Sequence, residues 1–429
     1  MKNFKITFKA YAQSLSACLN PRSTFFRILV VVFLIGLGTS VVYRGGIGTP
    51  KRTDLTVYLR AAEAVQTGEN IYHVQNARHW NYVYLPLLAT LLTPFTKLPL
   101  PLNVFLWYLL SVAALFGVFL LSLKHFQEPR NDLGTVILLM ILCLPSFLNT
   151  MARGQLGMII LFFAMLVFYL YFKRRDFWAG FALAFIMILK LTPLCALVPY
   201  FILKKEWKVC WGIFCGTVLF LLIYPSLILG PEKNLNFLAE WYRIVQHGVS
   251  DLGYQSHLWK QLITPFAEDN QSLYAVLTRW FWPSEESLVG QTNQWIRAGV
   301  NGFGLLALLA IIFAGCKDRR SASGELLFLE YSLFPMLMIF ISPVSEIHHY
   351  TVLYLIVLSA WLILQKFSPG SRPYWVILSG ILIATVSFLV GLIFEPLSYL
   401  GFPLLGALIL WLMLLVILFI AKQGSRVLA

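Results

Sequence analysis

Charge is scarce in this chain. Asp, Glu, Lys and Arg make up 12% of its 429 residues, against 59% hydrophobic ones. A soluble domain of this size needs more charge than that on its surface alone, so soluble single-domain and multi-domain readings are excluded. Acid is scarcer than base: 19 Asp and Glu stand against 33 Lys and Arg. The surplus of base does not point to nucleic acid. It sits in short stretches, "KRRD" (173–176), "KKEWK" (204–208) and "KDRR" (317–320), and near the two termini. That is the positive-inside pattern, in which basic loops stay cytoplasmic. Cysteine is also sparse. Most of Cys18, Cys143, Cys195, Cys210, Cys215 and Cys316 fall in apolar runs, and none shows metal-type spacing in a loop. They read as small apolar packers. Low-complexity tracts and short repeats are missing. So are a DxD-like pair of carboxylates and a nucleotide-binding glycine loop.

What fills the chain instead is a series of apolar runs of roughly 20 residues, from residue 25 to 421. The reading is an all-α polytopic transmembrane bundle forming one domain over 1–429. The first span is about 25–43, and Arg22 and Arg27 before it keep the N-terminus inside. Residues 1–24 are not a cleavable signal. Phe4, Phe8, Tyr11 and Leu15 share a helical face with Lys2, Lys5 and Lys9 beside it, the pattern of an interfacial cytoplasmic helix. Further segments fall near 84–98, 102–122, 133–150, 155–172, 177–189, 192–203, 209–230, 295–316, 325–341, 350–367, 374–394 and 400–421. Two of these are too short to cross at ~1.5 Å per residue. With both termini inside, about twelve crossings remain. Either 84–98 dips in and returns, or 177–203 is one helix interrupted at Lys190 and Pro193. The first option keeps "KRR" inside and is preferred.

Three stretches then lie on the outer face: a first outer loop at 44–82, a second at 231–293 and "SPVSEIHH" at 342–349. Function concentrates where loops converge. In the first, Asp54, Tyr58, Ala61 and Val65 share one face of a helix that ends at Gly68 and is expected to lie flat on the outer membrane surface. Asp54 suits a catalytic base, and it equally suits the N-cap of that helix. "ARGQLGM" (152–158) places Arg153 and Gln155 between two apolar segments, and "ILKLTPL" (188–194) places Lys190 inside an apolar run. A Lys at membrane depth faces a partner or a wet cavity, or snorkels to a headgroup. "DNQSLYAVLTRWFWP" (269–283) holds Asn270, Gln271 and Arg279 among aromatics. Amides and aromatic faces suit a sugar, and Arg suits a phosphate; an interfacial aromatic belt is the plainer alternative. Glu346, His348 and His349 head a later span. A metal needs more ligands than these supply, so they read as phosphate or hydroxyl contacts. No metal or other cofactor is expected.

Taken in order, these motifs resemble glycosyltransferase family 87. The likeness runs through Asp54, Tyr58, Gly68 and Tyr72, then "YLPL", "RGQ", "K-x-TP", "NQSL…R" and "SP…HH", over about residues 50–350. Two departures are visible. The family's double proline appears as Leu85–Pro86, and the aromatic usual before the histidines is replaced around Glu346. The resemblance implies a GT-C-like membrane fold in the plasma (inner) membrane, with the site on the outer, periplasmic face. It also implies a polyprenyl-phosphate donor of the mannose type, a glycolipid or glycan acceptor, inversion at the sugar carbon, and Asp54 as the base.

Elementary chemistry agrees with one base. A glycosidase needs a second carboxyl because its leaving alcohol must be protonated. A polyprenyl phosphate leaves as a stable anion, so a base for the acceptor hydroxyl and cations for the departing charge suffice. Two other classes compete. A transporter or lipid-linked-sugar flippase would carry its ionisable residues at the bilayer midplane and show related halves. A polymer ligase with a diphosphate donor would favour a large outer loop rich in Arg and His.

Overall fold

The computed structural model describes residues 24–49, 51–125, 133–247, 265–267, 269–282, 294–315 and 323–423. Nearly all of the interfacial helix expected at 1–24, and residues 248–264, 268 and 283–293 of the 231–293 loop, lie outside the described residues. Within them the chain is helical, and the extended pairing is confined to two isolated bridges, Gln75 with Asn81 and Asn270 with Glu346.

The helices follow in chain order: α1 (Thr24–Val42), α2 (Leu55–Thr67), α3 (Pro86–Leu92), α4 (Leu100–His125), α5 (Leu133–Leu142), α6 (Leu144–Arg153), α7 (Gly157–Phe172), α8 (Asp176–Leu189), α9 (Leu197–Leu203) and α10 (Trp207–Thr217). Then come α11 (Tyr224–Leu229), α12 (Pro231–His247), α13 (Leu273–Phe281), α14 (Gln294–Ala314), α15 (Gly324–Ile341), α16 (Leu353–Leu364), α17 (Arg372–Ile393), α18 (Glu395–Tyr399) and α19 (Phe402–Gln423). Eight stretches are long and apolar enough to cross a membrane, and nine if α5 and α6, bent by 66°, count as one broken span. The about twelve crossings expected exceed that number, because α7, α8 and the 194–203 segment are apolar but shorter than a standard span. Burial orders the bundle. Ile347–Leu364 is 89% buried and forms its axis, whereas Arg27–Ile47 is 17% buried and turns Ile28, Val31, Val32 and Ile35 outward. Apolar surface on that scale is stable only against lipid.

Two features of the path position the site. First, α8 and α10 touch through glycines. A Cβ on Gly212 would collide with the Phe177 carbonyl, and one on Gly216 would meet Ala184 Cβ at 2.6 Å and the Phe181 carbonyl at 3.2 Å. Steps of four on one helix match steps of four, in the same direction, on the other. The two helices are therefore parallel and close, as small residues allow. The 194–203 segment between them must run back, so the chain reverses at 190–193 and leaves Lys190 at the turn. Second, α3 is only seven residues long and begins at Pro86. The stretch at 84–98 thus forms a short helix and a tight turn (Thr93–Lys97), not a span.

Helix α2 is packed into the protein: seven of its thirteen residues, Leu55, Val57, Tyr58, Leu59, Ala61, Ala62 and Ala64, are buried. Its alanines let it nest against α3 and α4, and the Tyr58 ring lies 5.9 Å from that of Trp107 on α4. Helix α12 grips the loop that follows α2. Glu240 on α12 accepts from Asn70 at 2.7 Å and pairs with His73 at 2.8 Å. The Trp241 indole donates to the Val83 carbonyl at 3.1 Å.

Candidate active site

Several loops converge on a cavity of about 330 Å³. Asp54 comes from the N-cap of α2 and Tyr58 from α2 itself, Tyr84 from the entry to α3, and Arg153 and Gln155 from the tight turn between α6 and α7. Lys190 comes from the reversal after α8, and Glu346, His348 and His349 from the loop between α15 and α16. Trp80 and Trp241 also line it.

Asp54 is 5% exposed and stands at the N-cap of α2, just before Leu55, yet its side chain makes no capping bond. The capping role is thus confined to position. Its carboxylate is held from the side. Arg78 Nη2 donates to Oδ1 at 2.6 Å, Gln155 Nε2 donates to Oδ2, and Arg153 Nε stands 3.6 Å from Oδ2. The Gln155 amide is oriented by the rest of its network: Oε1 accepts from the Tyr58 hydroxyl at 3.1 Å and from Lys190 Nζ at 3.3 Å. The Tyr58 and Tyr84 hydroxyls are 3.3 Å apart. Burial pushes both phenols above their ordinary range. They stay protonated and serve as donors, which leaves carboxylates and imidazoles as bases.

The "RGQ" turn brings two parts of the chain together. The Asp54 amide donates to the Arg153 carbonyl at 2.8 Å. Gly154 takes φ +65°, and any Cβ there would strike Thr53 Oγ1. Glycine is therefore required both by backbone conformation and by space. The Arg153 side chain spans outward, donating Nη1 to Glu346 and to Asp269 at 3.2 Å. Glu346 in turn lies 3.4 Å from His348 Nδ1, and its amide donates to His349 Nδ1 at 3.0 Å. Lys190 differs from the arginines. It is 9% exposed, lies over the Tyr84 ring at 5.7 Å, and makes no ion pair within 4 Å among the described residues.

A family model described as Glycosyltransferase family 87 matches residues 82–343, well over half of the chain. The chain belongs to glycosyltransferase family 87. A search of the curated proteins returns no match. As a family-87 glycosyltransferase the protein uses a sugar donor and an acceptor, which sets aside the transporter reading. The matched region includes Arg153, Gln155 and Lys190 but begins after Asp54 and ends before Glu346.

In this glycosyltransferase the cavity unites Asp54, Tyr58, Arg153, Gln155, Lys190, Glu346, His348 and His349. Asn270, Gln271 and Arg279 are not among its lining residues, and the expectation that they contact substrate does not fit this geometry. They fasten loops. Asn270 Oδ1 accepts from the Ser345 amide at 3.1 Å, and Nδ2 donates to the Pro343 carbonyl at 3.2 Å. Gln271 Nε2 donates to the Ser398 carbonyl at 2.8 Å. Arg279, 4% exposed, donates to the carbonyls of Tyr399, Pro265, Ala267 and Asn270 at 2.7–3.0 Å. Its Nε and Nη1 thus hold main-chain oxygens of the 265–270 loop and of Tyr399. Arg78, Trp80, Trp241 and Asp269 were not singled out from sequence, and Tyr84 was read only as part of a stiff entry to α3. A weak signal was present for Arg78: it is a basic residue in the same inter-helix region as Asp54, two residues before Trp80.

Proposed function

We propose that this glycosyltransferase moves a sugar, of the mannose type, from a polyprenyl phosphate to a hydroxyl of a glycolipid or glycan, on the outer face of the inner membrane. The observation that carries the reading is the juxtaposition of Asp54 with Lys190, an unpaired buried cation, in one cavity. A buried cation that makes no direct ion pair is costly, and an anionic ligand repays part of that cost. The neighbourhood suits a lipid-linked anion. A separate crevice of about 430 Å³, lined by Leu55, Leu88, Leu106, Leu110, Phe163 and Leu189 among others, is almost wholly apolar. It meets the polar cavity at Leu189, next to Lys190, and ends at Leu110 and Phe95, which are exposed on the outside of the bundle.

In this scheme Asp54 accepts the proton of the acceptor hydroxyl. The hydroxyl oxygen forms its bond to the anomeric carbon as the bond to the phosphate oxygen breaks. The bonding pair leaves with the polyprenyl phosphate, met by Lys190 and Arg153, and the sugar carbon inverts. The GT-C-like arrangement with about twelve crossings belongs to the same proposal: α7, α8 and the 194–203 segment would be short crossings around the cavity.

A donor comparison with purified protein is the test. Polyprenyl-phosphate mannose is expected to support transfer with release of polyprenyl phosphate, and nucleotide-linked mannose is expected to give none. Turnover on the nucleotide sugar alone overturns the lipid-linked donor.

A further inference from the structure

The acid at the centre of the cavity has a partner that lies outside it. Arg78 is not a lining residue of the Asp54 cavity. It reaches the acid from behind, with Nη2 2.6 Å from Asp54 Oδ1 and 3.1 Å from the Thr53 carbonyl. Two observations set this contact apart from an ordinary surface ion pair. The first is how the loop is made. Asn76 Oδ1 accepts from the amides of Arg78 and Trp80, both at 3.0 Å, and His79 closes the turn at φ +59°. Asn76 Nδ2 donates to Thr56 Oγ1 at 3.0 Å, and that hydroxyl donates to the Thr53 carbonyl at 2.8 Å. The loop and the first turn of α2 are thus one hydrogen-bonded unit, and its effect is to fix Arg78 against Asp54. The second is what lies behind the guanidinium. Arg78 lines a separate polar pocket of about 380 Å³ with Lys51, Arg60, Gln75 and Asn76. Its buried Nε has no hydrogen-bond partner among the described residues.

We propose that Arg78 is a positioning residue for Asp54. An ionised carboxylate offers about four lone-pair sites. Arg78 takes one on Oδ1 and Gln155 takes one on Oδ2, so the carboxylate cannot rotate and its free lone pairs keep one direction toward the cavity. Arg78 does not touch the acceptor or the donor and acts through the acid. This inference rests on Asp54 being the base.

The test uses the purified full-length enzyme with donor and acceptor varied separately, and compares Arg78→Ala, Arg78→Lys and Asp54→Asn. Misplacing a catalytic group by an ångström costs about 10²-fold, so Arg78→Ala is expected to lower kcat by about that factor. Both KM values should stay within about threefold, since no ground-state contact is lost. Arg78→Lys, which keeps the charge without the fork, should recover about a tenth of the lost rate. Methylguanidinium, admitted through the pocket behind Arg78, should raise the Arg78→Ala rate saturably and leave wild type and Asp54→Asn unchanged. If Arg78→Ala does not purify as folded protein, the kcat–KM division in Arg78→Lys carries the test. A kcat close to wild type in the folded variants, or a loss confined to KM, overturns the positioning role. An active Asp54→Asn overturns the base itself, a result separate from either.

Discussion

Asp54→Asn is expected to lower transfer by about 10²–10⁴-fold, the range a positioned general base supplies. The amide is nearly isosteric, so the cavity keeps its shape. The acid's side chain caps nothing, and the loss therefore reports the carboxylate rather than the helix start. The substitution also removes the charge that Arg78 and Arg153 face, so stability should fall by roughly 1–3 kcal/mol, the scale of hydrogen bonds to charged groups. Steady-state turnover and thermal midpoint, measured on the same preparation, separate the two effects. Turnover near wild type would remove Asp54 from the chemistry.

Lys190→Met is expected to separate activity from stability in the opposite sense. Lys190 is buried and has no ion-pair partner among the described residues. Replacing a buried charge that makes no direct ion pair with an apolar side chain of similar length should be close to neutral for stability. Losing the cation that meets the departing phosphate should lower kcat by about 10²-fold or more, as removal of a preorganised electrostatic contact does. The donor KM should rise and the acceptor KM should not. Arg279→Ala provides the contrast. Its guanidinium satisfies four main-chain carbonyls, so its removal should destabilise the protein while the folded fraction keeps its KM for donor. Kinetics with each substrate varied separately, beside thermal midpoints, distinguish the two residues. A donor-KM effect in Arg279→Ala without loss of stability would return the phosphate to Arg279.

These two cations show where sequence reading succeeds and where it stops. Lys190 was legible because a charge inside an apolar run has few explanations, and a cavity is one of them. Arg279 lies off the cavity and holds main-chain carbonyls, which its fork fits as well as phosphate oxygens. Only the fold of the loop around 265–270 tells them apart. The same limit hid Arg78. Its contact with Asp54 depends on the turn built around Asn76, and spacing along the chain does not show that the turn folds back onto α2. That loops between apolar runs would converge was legible from the sequence, and the cavity lined by Asp54, Arg153, Lys190 and Glu346 lies where they meet. The close parallel packing of α8 and α10 was not, since Gly180 and Gly212 gain meaning only when the helices are side by side. The short helices α7 and α8 separate the expected crossings from the eight long ones, because length alone decides a standard span.

Direct displacement by one acceptor oxygen, with Asp54 as its base, is the central claim. The anomeric configuration of the product, read by NMR from a donor of known configuration, tests it most directly. Inversion is the expected result, because a single displacement passes through the opposite face of the sugar. Retention would contradict it: two displacements require a protein nucleophile and a glycosyl-enzyme intermediate, and Glu346 would then be the first residue to examine.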